Sequence, residues 1–218
     1  NHPRSPVMSD PAPPVPATAA NTPRHPWVPP AGDSPVSVMN SLTGTKVPLV
    51  PASGGTFKWY ICGPTVYDAA HLGHARNYIS FDVIRRILTD FFGFDVHLQM
   101  NITDIDDKII AKAVAAGVEF RTVASENETA FLKDLHDLNI RPPTFLTRIS
   151  EYIPETVAYI QRLIDNNAAY VASSSVYFNV AAFSASPHHA YAKLEPWSAG
   201  NTALLNEGEG AGGAPATG

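Results

Sequence analysis

Cys62-Gly63-Pro64-Thr65-Val66-Tyr67-Asp68-Ala69-Ala70-His71-Leu72-Gly73-His74 decides how this chain is read. It puts a thiol, a Gly-Pro turn and two imidazoles flanking a glycine inside one strand-to-helix unit. Upstream, Thr56-Phe57-Lys58-Trp59-Tyr60-Ile61 is rich in aromatic and β-branched residues and predicts a buried strand with Cys62 at its carboxyl end. Downstream, Leu72, Ala75, Ile79, Val83, Ile84, Ile87, Leu88 and Phe91 recur at helical spacing, and Gly93 follows as a stop signal. Gly63-Pro64 marks the turn between strand and helix. In open α/β sheets, ligands bind at the carboxyl ends of strands, where helix amino termini offer free N–H groups to phosphates. His71, Gly73 and His74 would stand there, the glycine admitting a ligand close to the backbone and the imidazoles able to donate to one phosphate group.

Working outward, Asp95 to Asn101 alternates well enough for a second strand, so that two strands and the long helix make a right-handed βαβ unit. Asp106 to about Ala116 predicts a short helix closed by Gly117, and Val123 to Leu138 another, with Phe131, Leu135 and Leu138 on one face. Pro142-Pro143 breaks it. A helical pattern runs from about Ile149 to Asn166, followed by a hairpin of Ala169-Tyr170-Val171 with Val176 to Val180 around Ser173-Ser174-Ser175. Residues 1–35 hold more than half of the 20 prolines and read as a disordered tail. Residues 36–145 read as the α/β unit, 146–206 as the helix and hairpin that follow it, and 207–218 as a flexible Gly/Ala tail.

Composition narrows the class. With 218 residues, 44% hydrophobic and 16% charged, the chain can bury one sizeable core. A net charge of -5 does not advertise nucleic-acid binding. The single cysteine excludes an intramolecular disulfide and suits a reducing compartment, and no apolar run approaches a membrane span. A cytoplasmic location is expected. Organelle targeting is the lesser reading of the amino terminus, because Arg4 and Arg24 are sparse, Asp10 and Asp33 are acidic, and proline opposes an amphipathic helix.

Three blocks follow one another in order: Trp59 to Asp68, His71-Leu72-Gly73-His74-Ala75-Arg76, and Asn101-Ile102-Thr103-Asp104-Ile105-Asp106-Asp107-Lys108-Ile109-Ile110. Together they resemble the cysteinyl-tRNA synthetases, a family of class I aminoacyl-tRNA synthetases with a His-x-Gly-His signature. The resemblance spans roughly residues 40–210. It implies an α/β fold, with residues 36–145 as the first half of the Rossmann-like class I synthetase catalytic, nucleotide-binding domain and residues 146–206 as a helix and hairpin leading into the inserted region, part of which the chain carries. It further implies ATP-dependent activation of cysteine to cysteinyl-adenylate and transfer to tRNA(Cys), with zinc as a metal cofactor and magnesium accompanying ATP.

The resemblance also implies roles for residues, each with a plainer reading beside it. Cys62 would be a zinc ligand, the zinc taking the thiolate of the substrate cysteine and so disfavouring serine; on its own it reads as a small buried apolar side chain. The other ligands in the family, a second cysteine, a histidine and a glutamate, come from segments this chain does not contain. His71 and His74 would stabilise charge on the α-phosphate, and with Gly63 and Gly73 would bind ATP; the competing readings are a metal pair, core histidines or caps of the helix. Gly63 and Thr103 would line the cysteine pocket with Cys62, although Thr103 also suits the amino-terminal cap of a helix beginning near Ile105 or Asp106. Asp104, Asp106 and Asp107 read as partners of a helix dipole rather than as a magnesium cluster. His188-His189 reads as solvated loop, Trp59 and Tyr60 as core, and Asp68, Arg76 and Asn77 as surface, capping or phosphate-touching groups.

The family's Lys-Met-Ser-Lys-Ser loop does not occur in the sequence. The expectation is therefore an amino-terminal portion of a synthetase, inactive alone. Two alternatives stand: a ligase joining cysteine to a glucosaminyl-inositol by the same adenylate chemistry, and a non-catalytic nucleotide-binding remnant.

Overall fold

The computed structural model describes residues 32–52 and 55–195; the expected tails, apart from residues 32–35, and the end of the inserted region lie outside them. An antiparallel hairpin, β1 (Ser37–Asn40) and β2 (Thr45–Pro48), opens the described part, with Gly44 at φ +67° in its turn. Three parallel strands follow in the order β3 (Thr56–Ile61), β4 (Asp95–Ile102) and β5 (Phe145–Arg148). The helix α1 (Leu72–Arg86) and a π-helical turn over Ile87–Phe91 connect β3 to β4, and α2 (Asp107–Ala116) with α3 (Phe120–Asp137) connect β4 to β5. A 3-10 turn at Ile149–Tyr152, α4 (Ile153–Asp165), a second hairpin of β6 (Ala169–Ala172) and β7 (Ser175–Phe178), and α5 (Val180–Ala185) complete the order.

The strand pattern explains the core. Along β4, Val96, Leu98, Met100 and Ile102 are buried while Asp95, His97 and Gln99 are exposed, so side chains alternate between two unlike faces. Val96, Leu98 and Met100 stand in register with Phe57, Trp59 and Ile61 of β3. On this face Ile61, Leu98, Met100 and Ile102 meet Tyr78 of α1, Ile109 and Ala113 of α2, and Val123, Phe131 and Leu135 of α3. Trp59 packs edge-on against Phe81, and Tyr78 edge-on against Phe131. The opposite face presents exposed Lys58, Tyr60, His97, Gln99 and Phe145, and no described helix covers it.

Helix α1 departs from the periodicity reading. Leu72 is 84% exposed and Phe91 79%, and Ile79, Val83, Ile84 and Ile87 are exposed too, whereas Tyr78, Phe81, Asp82 and Leu88 face inward. The helix is apolar on two sides, and spacing alone does not say which side meets the sheet. A buried carboxylate settles it: Asp82 accepts from Arg86 Nε at 2.6 Å and from the Arg141 backbone N–H at 3.1 Å. Arg85 donates to the Pro142 carbonyl at 2.7 Å and Arg86 to the Asn139 carbonyl at 2.7 Å, so the α3–β5 loop is strapped to the end of α1. Strand β5 itself falls where the sequence shows only a break after Pro142-Pro143. Its four residues are too few for a periodicity, and β4 pairing supplies the order.

Helix ends follow the sequence more closely. Gly117 takes φ +68° as the closing residue of α2, donating to the Ala113 and Val114 carbonyls. The cap of α2 is Asp106, whose carboxylate accepts from the Lys108 N–H at 2.9 Å, and not Thr103. Thr103 lies one step earlier, bonded through both backbone groups to Pro64 and Val66. Asp104 takes the Ser150 N–H at 3.0 Å and its hydroxyl, tying the β4–α2 loop to the 3-10 turn. The acidic trio is thereby accounted for structurally, with Asp107 in the first turn of α2.

Candidate functional site

At the carboxyl end of β3 and β4 the first and third motif blocks meet. The Thr65–Thr103 bridge continues the parallel pairing past the strands, with Val66 N–H to the Thr103 carbonyl and Thr103 N–H to the Pro64 carbonyl, both at 3.1 Å. Gly63 lies in this close approach. A Cβ built on it would stand 1.6 Å from the Asn101 carbonyl oxygen, so no other residue fits without moving β4. The turn glycine therefore has a steric reason independent of any ligand.

Cys62 is exposed, contrary to the buried apolar reading. The strand ends at Ile61, and the next side chain leaves the core. Its Sγ lies 3.7 Å from the Tyr60 hydroxyl. Tyr60 is 57% exposed rather than core, because alternation along β3 turns it to the uncovered face. The Tyr60 hydroxyl donates to Asn101 Oδ1 at 2.9 Å, the same oxygen accepts the Gly63 N–H at 2.9 Å, and Asn101 Nδ2 donates to Thr103 Oγ1 at 3.3 Å. Cys62, Gly63 and Thr103 thus belong to one hydrogen-bonded group. Burial, with a smaller contribution from Cys62, raises the Tyr60 pKa. Behind it, Tyr78 donates to the Cys62 carbonyl at 3.0 Å, fixing the first turns of α1 to the strand end; its pKa is pushed up to about 12, chiefly by burial.

His71 and His74 form a reciprocal cap at the start of α1. His71 Nδ1 accepts the Gly73 N–H at 3.0 Å, and His74 Nδ1 accepts the His71 N–H at 3.1 Å, with ring centroids 4.0 Å apart. Each ring uses Nδ1 as an acceptor, so in its neutral form the proton sits on Nε2. Burial first, and the neighbouring His71 second, lower the His74 pKa, which agrees with a neutral imidazole holding the cap. Of the three plainer readings, capping is present, and each Nε2–H remains a donor beside the helix amino terminus. A cavity of about 320 Å³ opens beside the pair, lined by His71, Leu72, His74, Tyr78, Phe131 and Leu138 among others.

Elsewhere the candidates disperse. Among the described residues no three His, Cys, Asp or Glu side chains come together in a metal-holding group, so Cys62 is one soft ligand without companions and these residues do not make a zinc site by themselves. His189 stacks on Phe183 at 4.3 Å, which occupies it in packing. Asp68 pairs with Lys112 at 3.1 Å, while Arg76 and Asn77 are exposed on the second turn of α1.

The model of the tRNA synthetase class I (C) catalytic domain matches residues 48–213. The chain belongs to that family. The cytoplasmic cysteine–tRNA ligase of Dictyostelium discoideum is 50% identical over 200 residues, covering 89% of this chain and 30% of that protein. Its human counterpart is 33% identical over 285 residues, covering 84% of this chain and 38% of the relative. The chain thus spans about a third of the length of these synthetases. Among solved structures, the Agrobacterium radiobacter K84 LeuRS in its ternary complex with tRNA and LeuAMS aligns over 56% of this chain and 16% of its own, at 18% identity and a TM-score of 0.48. The parallel sheet with its crossover helices is the mixed α/β, Rossmann-like fold of a class I synthetase catalytic domain.

Two members of this hydrogen-bonded group, Tyr60 and Asn101, are not singled out as site residues by the sequence. Asn101 opens the third motif block, and Tyr60 stands two residues before the thiol. Strand alternation was the available signal, since it sends Tyr60 and Asn101 to the face opposite Trp59 and Met100.

Proposed function

We propose that this chain supplies the cysteine- and ATP-binding half of a cysteine–tRNA ligase, activating cysteine as cysteinyl-adenylate for transfer to tRNA(Cys). One observation carries the reading: the group of exposed Cys62 with half-buried Gly63 and Thr103 and the His71/His74 cap share one sheet edge, joined by the Tyr78 bond to the Cys62 carbonyl. The names of the similar proteins, cytoplasmic cysteine–tRNA ligases, support it and favour a cytoplasmic location. Among the described residues no helix is long and apolar enough to cross a membrane.

In the activation step, a cysteine carboxylate oxygen attacks the α-phosphorus of ATP. The new P–O bond forms as the bond to the bridging oxygen breaks, and pyrophosphate leaves with that electron pair. The carboxylate is ionised at neutral pH and needs no base. His71 and His74 serve by directing Nε2–H donors at phosphate oxygens whose charge grows in the transition state, while the cap keeps both rings from reorienting. Gly63 and Gly73 let nucleotide and amino acid approach the backbone, and magnesium accompanies the phosphates. Transfer then follows when a terminal ribose hydroxyl of tRNA attacks the adenylate carbonyl and AMP departs.

Cys62, exposed just past the end of β3, would give one thiolate to a zinc ion completed by ligands that the described residues do not supply. Bound there, zinc would supply selectivity for a thiol over a hydroxyl. The test is charging by the native polypeptide that carries this chain, with ATP, zinc and tRNA: cysteinyl-tRNA should accumulate and seryl-tRNA should not. Absence of cysteinyl-tRNA, or charging with serine at a comparable rate, would refute the assignment.

A further inference from the structure

Asn101 is the junction of the site rather than one of its edges. Its Oδ1 receives two donors, the Gly63 backbone N–H and the Tyr60 hydroxyl, each at 2.9 Å. A backbone N–H can only donate, so the orientation of the amide is settled by Gly63: oxygen toward the turn, nitrogen toward Thr103. Nδ2 then donates to Thr103 Oγ1 at 3.3 Å. That bond uses a lone pair of the threonine oxygen and leaves its hydrogen unspent, and among the described residues no group accepts that hydrogen. The Thr103 backbone is held on both sides by Pro64 and Val66, so the hydroxyl turns only about its own side-chain bonds.

We propose that Asn101 is a positioning residue that sets the Thr103 hydroxyl as a hydrogen-bond donor toward the amino-acid substrate. The proposal rests on the reading of Thr103 as part of the cysteine pocket. An amide at this position imposes a polarity that a carboxylate of the same shape would reverse. With Asn101→Asp, one carboxylate oxygen still accepts from Gly63 and Tyr60, but the other takes the Thr103 hydrogen, turning the donor inward. Thr103→Val removes the donor outright at nearly constant shape, whereas Thr103→Ser keeps it.

The experiment measures cysteine-dependent ATP–pyrophosphate exchange in the native polypeptide, with KM determined separately for cysteine and ATP. Asn101→Asp and Thr103→Val should each raise the KM for cysteine about tenfold, as expected for one lost hydrogen bond to a polar ligand. The KM for ATP should stay within about twofold, and the double variant should be no worse than either single one. Thr103→Ser keeps the hydroxyl and should recover most of the KM for cysteine that Thr103→Val loses, and because both variants leave Asn101 intact, the pair carries the test if Asn101→Asp does not fold. Protection of the Gly63 amide from hydrogen exchange should survive in Asn101→Asp, since its acceptor is retained. An unchanged KM for cysteine in either Asn101→Asp or Thr103→Val, or defects that multiply in the double variant, overturns the inference while leaving the enzyme assignment standing. A wild-type protein without cysteine-dependent exchange overturns the proposed function and this inference with it.

Discussion

Cys62 and His74 sit at two ends of one strand-to-helix turn, and the proposed function gives them separable chemistries. Replacing Cys62 by Ser should abolish zinc binding by the native polypeptide while ATP binding survives, and His74→Ala should do the reverse; metal analysis beside nucleotide titration reads both, and zinc retained in Cys62→Ser would count against the thiolate assignment. Gly63 was legible as a turn residue, yet its sharper constraint is steric. Gly63→Ala should lower stability by about 3 kcal/mol or more, seen as a reduced denaturation midpoint, because the obstructing Asn101 oxygen is backbone and has no rotamer to escape into. The His74 cap gives a pH dependence of definite sign. Its folded pKa is lowered, mainly by burial, so the unfolded chain binds the proton more readily. The cap's contribution is therefore complete above about pH 6.5 and declines as pH falls below that value, until the folded imidazole itself titrates. Melting temperatures between pH 7 and 5.5 should fall less steeply in His74→Gln than in the wild type, and equal slopes would contradict the cap. The buried reading of Cys62 failed because a cysteine adjoining a strand says nothing about whether the strand continues; it ends at Ile61, and the thiol emerges.

Among the elements, boundaries were readable wherever a single residue controls them. Gly93 and Gly117 adopt positive φ where the sequence placed stops, and the 173–174 turn of the second hairpin takes φ of 48° and 64° between paired strands. Strand β5 and the inward side of α1 were not readable, because each depends on partners distant in sequence. Asp82 shows why: an acidic residue within an apolar helix looks solvent-facing until the 139–144 loop arrives to bond it. Asp82→Ala should cost about 2 kcal/mol, from the lost Arg86 pair and the unpaired Arg141 amide, and chemical denaturation would measure it. A loss below a few tenths of a kcal/mol would mean the strap does not hold the helix. The same α3–β5 region carries a second tie at its far end, where Arg148 grips the buried Glu128 of α3 through Nε and Nη2 at 2.6–3.0 Å.

For the molecule as a whole, one face of the parallel sheet and the outer stripe of α1 are both exposed. Parallel sheets ordinarily carry helices on both faces, and here Lys58, Tyr60, His97 and Gln99 look outward from one of them. The chain matches about a third of the length of its synthetase relatives, and the open face is the one bearing Tyr60 and Asn101. Sequence blocks identified the family because the site residues are consecutive within them; the junction at Asn101 was hidden because it is made across strands. The central proposal is that the polypeptide carrying this sheet edge activates cysteine and not its hydroxyl analogue. It is tested most directly by incubating the native polypeptide with ATP, magnesium, zinc and either amino acid, then detecting the aminoacyl-adenylate by mass. Cysteinyl-adenylate formed with cysteine, and no seryl-adenylate with serine, is the expected result; no adenylate at all, or equal amounts from both, would contradict the account.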